Sequence, residues 1–326
     1  MPLYPLTFQP IFKERVWGGR RLAELYGKQL PPDVPIGESW EVTDRPEGVS
    51  VITNGPLAGK DLHWLMEHHA AEMLGPAKSQ DGRFPLLVKL LDAQDDLSLQ
   101  VHPPAHVAAS LKGEPKTEMW YVAQATPEAL IYVGLKNGVT KEEFERKVRD
   151  GSVADCFHRH TIQTGDAMFL PSGRVHAIGA GSVLFEIQQN SDTTYRVFDW
   201  NRVGLDGKPR DLHIEQAMAS IDFNDFEPAK MTASNSSSSS LSRRSLVDHE
   251  LFSVDHLSLP PKSSLPLEHK GPLVVAATQN SVTLHSAGQP VHLSAGKFTV
   301  IPASVSEVTL QTSEMTGAGV LVAEAR

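Results

Sequence analysis

Gln100 and His102 lie in the run Leu97-Ser-Leu-Gln-Val-His-Pro-Pro104, Glu118 in Lys116-Thr-Glu-Met-Trp-Tyr-Val122, and His176 in Leu170-Pro-Ser-Gly-Arg-Val-His-Ala-Ile-Gly179. Alternate side chains of a strand share a face, so Gln-x-His aims an amide oxygen and an imidazole nitrogen at one point. Two neutral imidazoles, a carboxylate and an amide oxygen suit one divalent ion, with zinc the expected one, and leave a position open for water or substrate. That is the donor set of a working site rather than of a structural clip. Lys89, Lys112, Lys116, Arg174 and Arg196 stand within or beside the same runs and are candidates to receive an anion. Lys89 interrupts the apolar run Leu86-Leu-Val-Lys-Leu-Leu91, where an unpaired ammonium would be costly to bury.

The elements that must position these groups are mostly short strands. Pro85 to Ala93, Leu97 to His102, Glu118 to Ala125, Ala129 to Leu135, Ala167 to Leu170 and Ser182 to Gln188 are apolar or alternating runs separated by Gly, Pro, Asp and Asn. Helical spacing marks Arg21 to Tyr26, Leu62 to Leu74 with Asp61 as its cap, Val107 to Lys112, Thr140 to Asp150 with a Thr140/Glu143 capping box, and His213 to Ile221. Many short strands with turn signals point to a sandwich or jelly roll. Asn235-Ser-Ser-Ser-Ser-Ser-Leu-Ser-Arg-Arg244 has too little apolar surface to repay its ordering entropy and reads as a flexible linker. Beyond it, Gly296-Lys-Phe-Thr-Val-Ile-Pro-Ala303 repeats the frame of Gly165-Asp-Ala-Met-Phe-Leu-Pro-Ser172. At the offset of His176 this second copy has Glu307, with no Gln-x-His run to accompany it. The expected fold is mainly β: two cupin-like jelly-roll units with a few added helices. The expected division is a metal-binding catalytic unit over 1–232, a Ser-rich linker over 233–245, and a β unit without metal over 246–326.

Several motifs carry a resemblance. Phe84-Pro-Leu-Leu-Val-Lys-Leu-Leu-Asp-Ala93, Leu99-Gln-Val-His-Pro103, Lys116-Thr-Glu-Met-Trp-Tyr121, Pro171-Ser-Gly-Arg-Val-His176 and Asn190-Ser-Asp-Thr-Thr-Tyr-Arg-Val-Phe-Asp-Trp200 occur in the order found in type I mannose-6-phosphate isomerases. The opening, with Pro10-Ile-Phe-Lys-Glu-Arg-Val-Trp-Gly-Gly19 and Gly37-Glu-Ser-Trp-Glu41, resembles the short bacterial form of that family. The resemblance implies an aldose–ketose isomerase acting on mannose 6-phosphate and fructose 6-phosphate through an enediolate. It also places Arg196 at the family's active-site arginine. Lys116 would then bind phosphate and share the catalytic work with Arg196, and Lys89 would meet substrate beside the metal. Which group moves the proton stays open among Lys116, a metal-bound water, His102 and a further carboxylate.

Composition sets outer limits. The 326 residues carry a formal charge of −9, against a nucleic-acid partner, which would call for clustered Lys and Arg. The opening residues show no basic stretch followed by an apolar one, and no run is long enough for a bilayer, so a cytoplasmic protein with no membrane partner is expected. Cys156 is the only cysteine, which excludes an intrachain disulfide.

Other histidines compete for the metal. His158 and His160 have the spacing of Gln100 and His102 but flank Arg159 and follow a predicted helix; His63, His68 and His69 lack the Glu of an HExxH frame; His106 follows Pro103-Pro104 and reads as structural. Two other function classes share these features: a sugar-phosphate-binding cupin without turnover, and another metal-dependent cupin enzyme, such as an oxygenase. The complete ligand set argues against the first, and the basic residues, which call for an anionic sugar, against the second.

Overall fold

The computed structural model describes residues 2–233, 240–286, 288–313 and 315–326. Two eight-stranded sandwiches account for most of it, and their strands are labelled here in chain order. The first comprises β1 (Leu86–Ala93), β2 (Leu99–Val101), β3 (Glu118–Ala125), β4 (Leu130–Leu135), β5 (Phe157–Thr161), β6 (Ala167–Leu170), β7 (His176–Ile178) and β8 (Ser182–Gln189). The second comprises β9 (Phe252–Leu259), β10 (Ser264–Leu267), β11 (Leu273–Gln279), β12 (Ser281–His285), β13 (Val291–Ser294), β14 (Phe298–Ile301), β15 (Val308–Thr312) and β16 (Ala318–Ala325). In the first, one sheet runs β1-β8-β3-β6 and the facing sheet β2-β7-β4-β5; in the second the orders are β9-β16-β11-β14 and β10-β15-β12-β13. The two orders are the same, strand for strand, all neighbours antiparallel. This is the jelly roll, present twice.

Added elements extend the sheets. Ile11–Gly19 and Ile36–Val42 continue the first sheet beyond β1, and Tyr195–Phe198 continues the facing sheet beyond β2. Helix Leu62–Leu74 starts at Asp61, whose carboxylate accepts the Trp64 N–H, and helix Lys141–Asp150 at Thr140, whose hydroxyl accepts the Glu143 N–H. Both are the caps expected from sequence. The Ser-rich linker differs from expectation at its C-terminal end: 234–239 lie outside the described residues, but Ser242–Asp248 is a strand paired with β9. Its Arg243 meets Asp255 across that pair and its Arg244 donates to the carbonyl of Thr232. A partner strand and two guanidinium contacts supply order that composition alone does not reveal.

One apolar core joins the two sandwiches. Phe185 on β8 packs edge-on against Tyr26 and Tyr121 and against Phe298 of the second sandwich, all in one cluster with Leu6, Val254 and Leu321. Leu6 and Val300 exchange backbone hydrogen bonds of 2.8 and 2.9 Å. The candidate metal ligands sit between the sheets of the first sandwich. Among the described residues, no helix is long and apolar enough to cross a membrane.

Candidate metal centre

The side chains of His102, Glu118 and His176 converge in the interior of the first sandwich, with potential ligand atoms within 4.8 Å of one another. Register explains the convergence. His176 opens β7 directly opposite Gln100 on β2, His102 follows β2, and Glu118 opens β3 on the facing sheet. The two imidazole Nε2 atoms are 3.1 Å apart, and Gln100 Nε2 is 3.2 Å from His176 Nε2. Turning the Gln100 amide over presents its oxygen at the same place. Glu118 Oε2 lies 3.6 Å from His102 Nε2, and Oε1 lies 3.4 Å from His176 Nε2.

Each imidazole is held in the tautomer that a ligand needs. His102 Nδ1 donates to the carbonyl of Thr193 at 2.8 Å and His176 Nδ1 donates to the carbonyl of Arg174 at 2.9 Å, so both Nε2 lone pairs point inward. Burial, and then the charge of Lys116, push His102 down to about 3, so the ring is neutral. Burial also lowers His176. Burial alone would raise Glu118, but Lys116 and the two histidines hold it well below the usual carboxylate range. Both Glu118 oxygens are fully buried with no hydrogen-bond partner among the described residues, although Lys116 Nζ forms an ion pair at 3.0 Å. A buried carboxylate left so, facing two inward lone pairs, fits a divalent cation between them.

A cavity of about 550 Å³ opens beside this point, lined by Gln100, Lys89, Lys116 and Arg196 among others. Lys89 on β1 pairs in register with Glu186 on β8. Its Nζ lies 3.2 Å from Glu186, 3.7 Å from Asp192 and 3.8 Å from Glu38. Burial by itself would lower Lys89, but Glu186, Glu38 and Asp192 outweigh it and hold the ammonium above its ordinary value. Glu38 is further fixed by Arg15 at 2.7 Å and by the indole N–H of Trp40 at 2.7 Å. Against the opposing effect of burial, Lys89 and Arg15 bring it down to about 2. The ammonium buried in an apolar strand therefore has its partners. Glu38, Glu186 and Asp192 escaped the sequence reading, yet Glu186 interrupts the apolar run of β8 as Lys89 interrupts β1, the same signal.

The remaining candidates lie elsewhere. Arg174 forms a bidentate pair with Asp225, at 2.8 Å to each oxygen, and Lys112 is exposed. His158 and His160 sit on β5, where His160 donates to the carbonyl of Pro228 at 2.7 Å, and among the described residues they join no metal cluster. His63 pairs with Asp44 at 3.0 Å, His68 with the Trp64 carbonyl, and His106 is exposed.

Residues 6–143 match the family described as phosphomannose isomerase type I, catalytic domain. The mannose-6-phosphate isomerase ManA of Bacillus subtilis (strain 168) is 36% identical over 313 residues, covering 95% of this chain and 97% of that protein. The chain belongs to the type I phosphomannose isomerase family. The crystal structure of mannose 6-phosphate isomerase from Bacillus subtilis superposes with a TM-score of 0.87 at 30% identity, over 99% of this chain and 100% of the other. A mannose 6-phosphate isomerase structure bound with zinc and yttrium shares the phosphomannose isomerase fold at 18% identity, with a TM-score of 0.75 over 99% of this chain and 100% of that one.

Proposed function

We propose that this chain interconverts mannose 6-phosphate and fructose 6-phosphate with one divalent ion, zinc, held by Gln100, His102, Glu118 and His176. The observation that carries the reading is the buried Glu118 carboxylate, without hydrogen-bond partners, facing two histidine nitrogens in a chain of this family. When bound, the ion supplies Lewis acidity that polarises the substrate carbonyl and hydroxyl oxygens.

The protein's own groups do the rest. Moving a hydrogen between adjacent carbons passes through an enediolate, whose charge needs preorganised positive groups. Lys116, 3.0 Å from Glu118, borders the cavity where that charge develops. Lys89, held by three carboxylates, presents a fixed ammonium to the same space. Arg196 stands opposite Gln100 in register and meets the substrate's charge from the next strand. The Thr193 and Arg174 carbonyls keep the two histidines oriented, so the donor set is ready before substrate arrives. The phosphate anchors the far end of the sugar and thereby orients the reacting carbons.

The test is a coupled assay of purified protein with mannose 6-phosphate, with and without chelator. Turnover that disappears on chelation and returns with metal is expected. Metal binding without turnover would favour a sugar-phosphate-binding cupin instead.

A further inference from the structure

Five cations line the cavity: Arg15, Lys89, Lys116, Arg196 and Arg210. Three are paired with buried carboxylates, Arg15 with Glu38, Lys89 with Glu186, and Lys116 with Glu118. Arg196 and Arg210 remain. Arg196 donates from Nη1 to the carbonyl of Asp211 at 2.8 Å, while its buried Nε has no hydrogen-bond partner among the described residues. Arg210 grips Asp199 with Nε at 2.7 Å and Nη2 at 2.5 Å, which leaves Nη1 uncommitted among the described residues. Asp199 also receives Nε and Nη2 of Arg202, at 3.1 and 2.9 Å, and Arg202 reaches Asp95 through Nη1 at 3.2 Å, so Asp199 is shared between two guanidiniums. Of the cavity's other carboxylates, Asp192 lies 3.7 Å from Lys89, and Glu14 and Asp206 are exposed. Burial, followed by the charge of Arg210, pushes Arg196 below its ordinary value, so an incoming dianion relieves an existing repulsion.

We propose that Arg210, clipped by Asp199 at the end of the hairpin closed by the Val203–Pro209 bridge, contacts the substrate phosphate together with Arg196 and sets the preference for phosphorylated over free hexose. Lys116, to which the family resemblance gives the phosphate, stands 3.0 Å from the proposed metal ligand Glu118 at the reacting end of the cavity, so the anion falls to the two guanidiniums. A guanidinium fixed on two nitrogens and free on the third is preorganised for a phosphate oxygen, with little side-chain freedom left to lose. Arg202 shares Asp199 but does not line the cavity, and so serves as the control.

This assignment rests on the isomerase reading, and calorimetry with inorganic phosphate separates the two. On the metal-loaded full chain, Arg210→Met weakens phosphate binding by about tenfold or more, the cost of losing a charge-assisted contact. It raises the KM for mannose 6-phosphate by a similar factor while kcat changes much less; Arg210→Lys recovers part of the loss; Arg202→Met leaves phosphate binding close to wild type. Loss of phosphate binding in Arg210→Met from a wild type that does not turn over mannose 6-phosphate would support the anion site and sink the isomerase reading. An active wild type with unchanged phosphate affinity in Arg210→Met would overturn the assignment, as would an equal loss in Arg202→Met, which would trace the effect to the shape of the Asp199 cluster rather than to contact.

Discussion

Leu273 occupies in the second jelly roll the place that Glu118 occupies in the first. Each opens the third strand, and each is paired across to the sixth, Glu118 with Leu170 and Leu273 with Ile301. The His176 offset falls at Glu307, which is exposed and has a left-handed backbone (φ 56°). The repeat thus preserves the frame and has, in place of the proposed ligand Glu118, an apolar core residue, 2% exposed.

One tightly held metal per chain is therefore expected. Elemental analysis after exhaustive dialysis is expected to give a single equivalent, lost in His102→Ala and in His176→Ala while the far-ultraviolet circular dichroism persists, because the core does not depend on the ion. Two equivalents, or full occupancy in both variants, would contradict the assignment.

Glu38 ties Arg15, Trp40 and Lys89 together inside the protein. Replacing it by Leu leaves a buried ammonium short of a partner and is expected to destabilise the fold by roughly 3 kcal/mol, in the range for a broken buried pair. Denaturant titration checks this. A change below about 0.5 kcal/mol would show that Glu186 and Asp192 suffice for Lys89.

His256 on β9 stacks on Tyr121 and takes part in a 3.1 Å hydrogen bond with its hydroxyl. Burial, then Arg244, push His256 from 6.5 down to about 4. Between those two values the unfolded chain binds the proton and the folded chain does not, so the stability contribution is complete above 6.5 and is lost as pH falls towards 4. The wild type is therefore expected to lose up to roughly 3 kcal/mol more than His256→Gln across this window. Parallel stability profiles for the two proteins would contradict it.

The division of labour between the sandwiches is a further proposal: chemistry belongs to residues before the Ser-rich segment, and the second sandwich serves packing. Phe185 is fully buried against Phe298, so ending the chain near 233 would uncover it. Such a chain is expected to be poorly soluble, and Phe298→Ala in the full chain to cost about 3 kcal/mol. A soluble, folded 1–233 chain retaining its metal would show that the second sandwich is dispensable.

Much of this was legible in local sequence. Spacing alone put Gln100 and His102 on one face, and the Asp61 and Thr140 caps follow from side chains three residues from the N–H groups they accept. What escaped depends on partners distant in the chain. Ile11–Gly19 and Ile36–Val42 are strands because they complete the sheet beside β1, and the Gly37 side-chain position lies against Trp17, a contact no window of either segment contains. His158 and His160 follow a helical segment in sequence, but pairing with β4 makes them strand residues at a sheet edge. Arg210 looks like one surface charge among many until Asp199 and the cavity are placed around it.

Isomerisation at a metal held by His102, Glu118 and His176 is tested most directly by following conversion of mannose 6-phosphate to fructose 6-phosphate by purified protein. Wild type is expected to turn over, to stop when metal is chelated and to recover when zinc is restored; folded His176→Ala is expected to fall by at least about a hundredfold with no recovery on added zinc. Undiminished turnover in the chelated wild type or in His176→Ala would contradict the account.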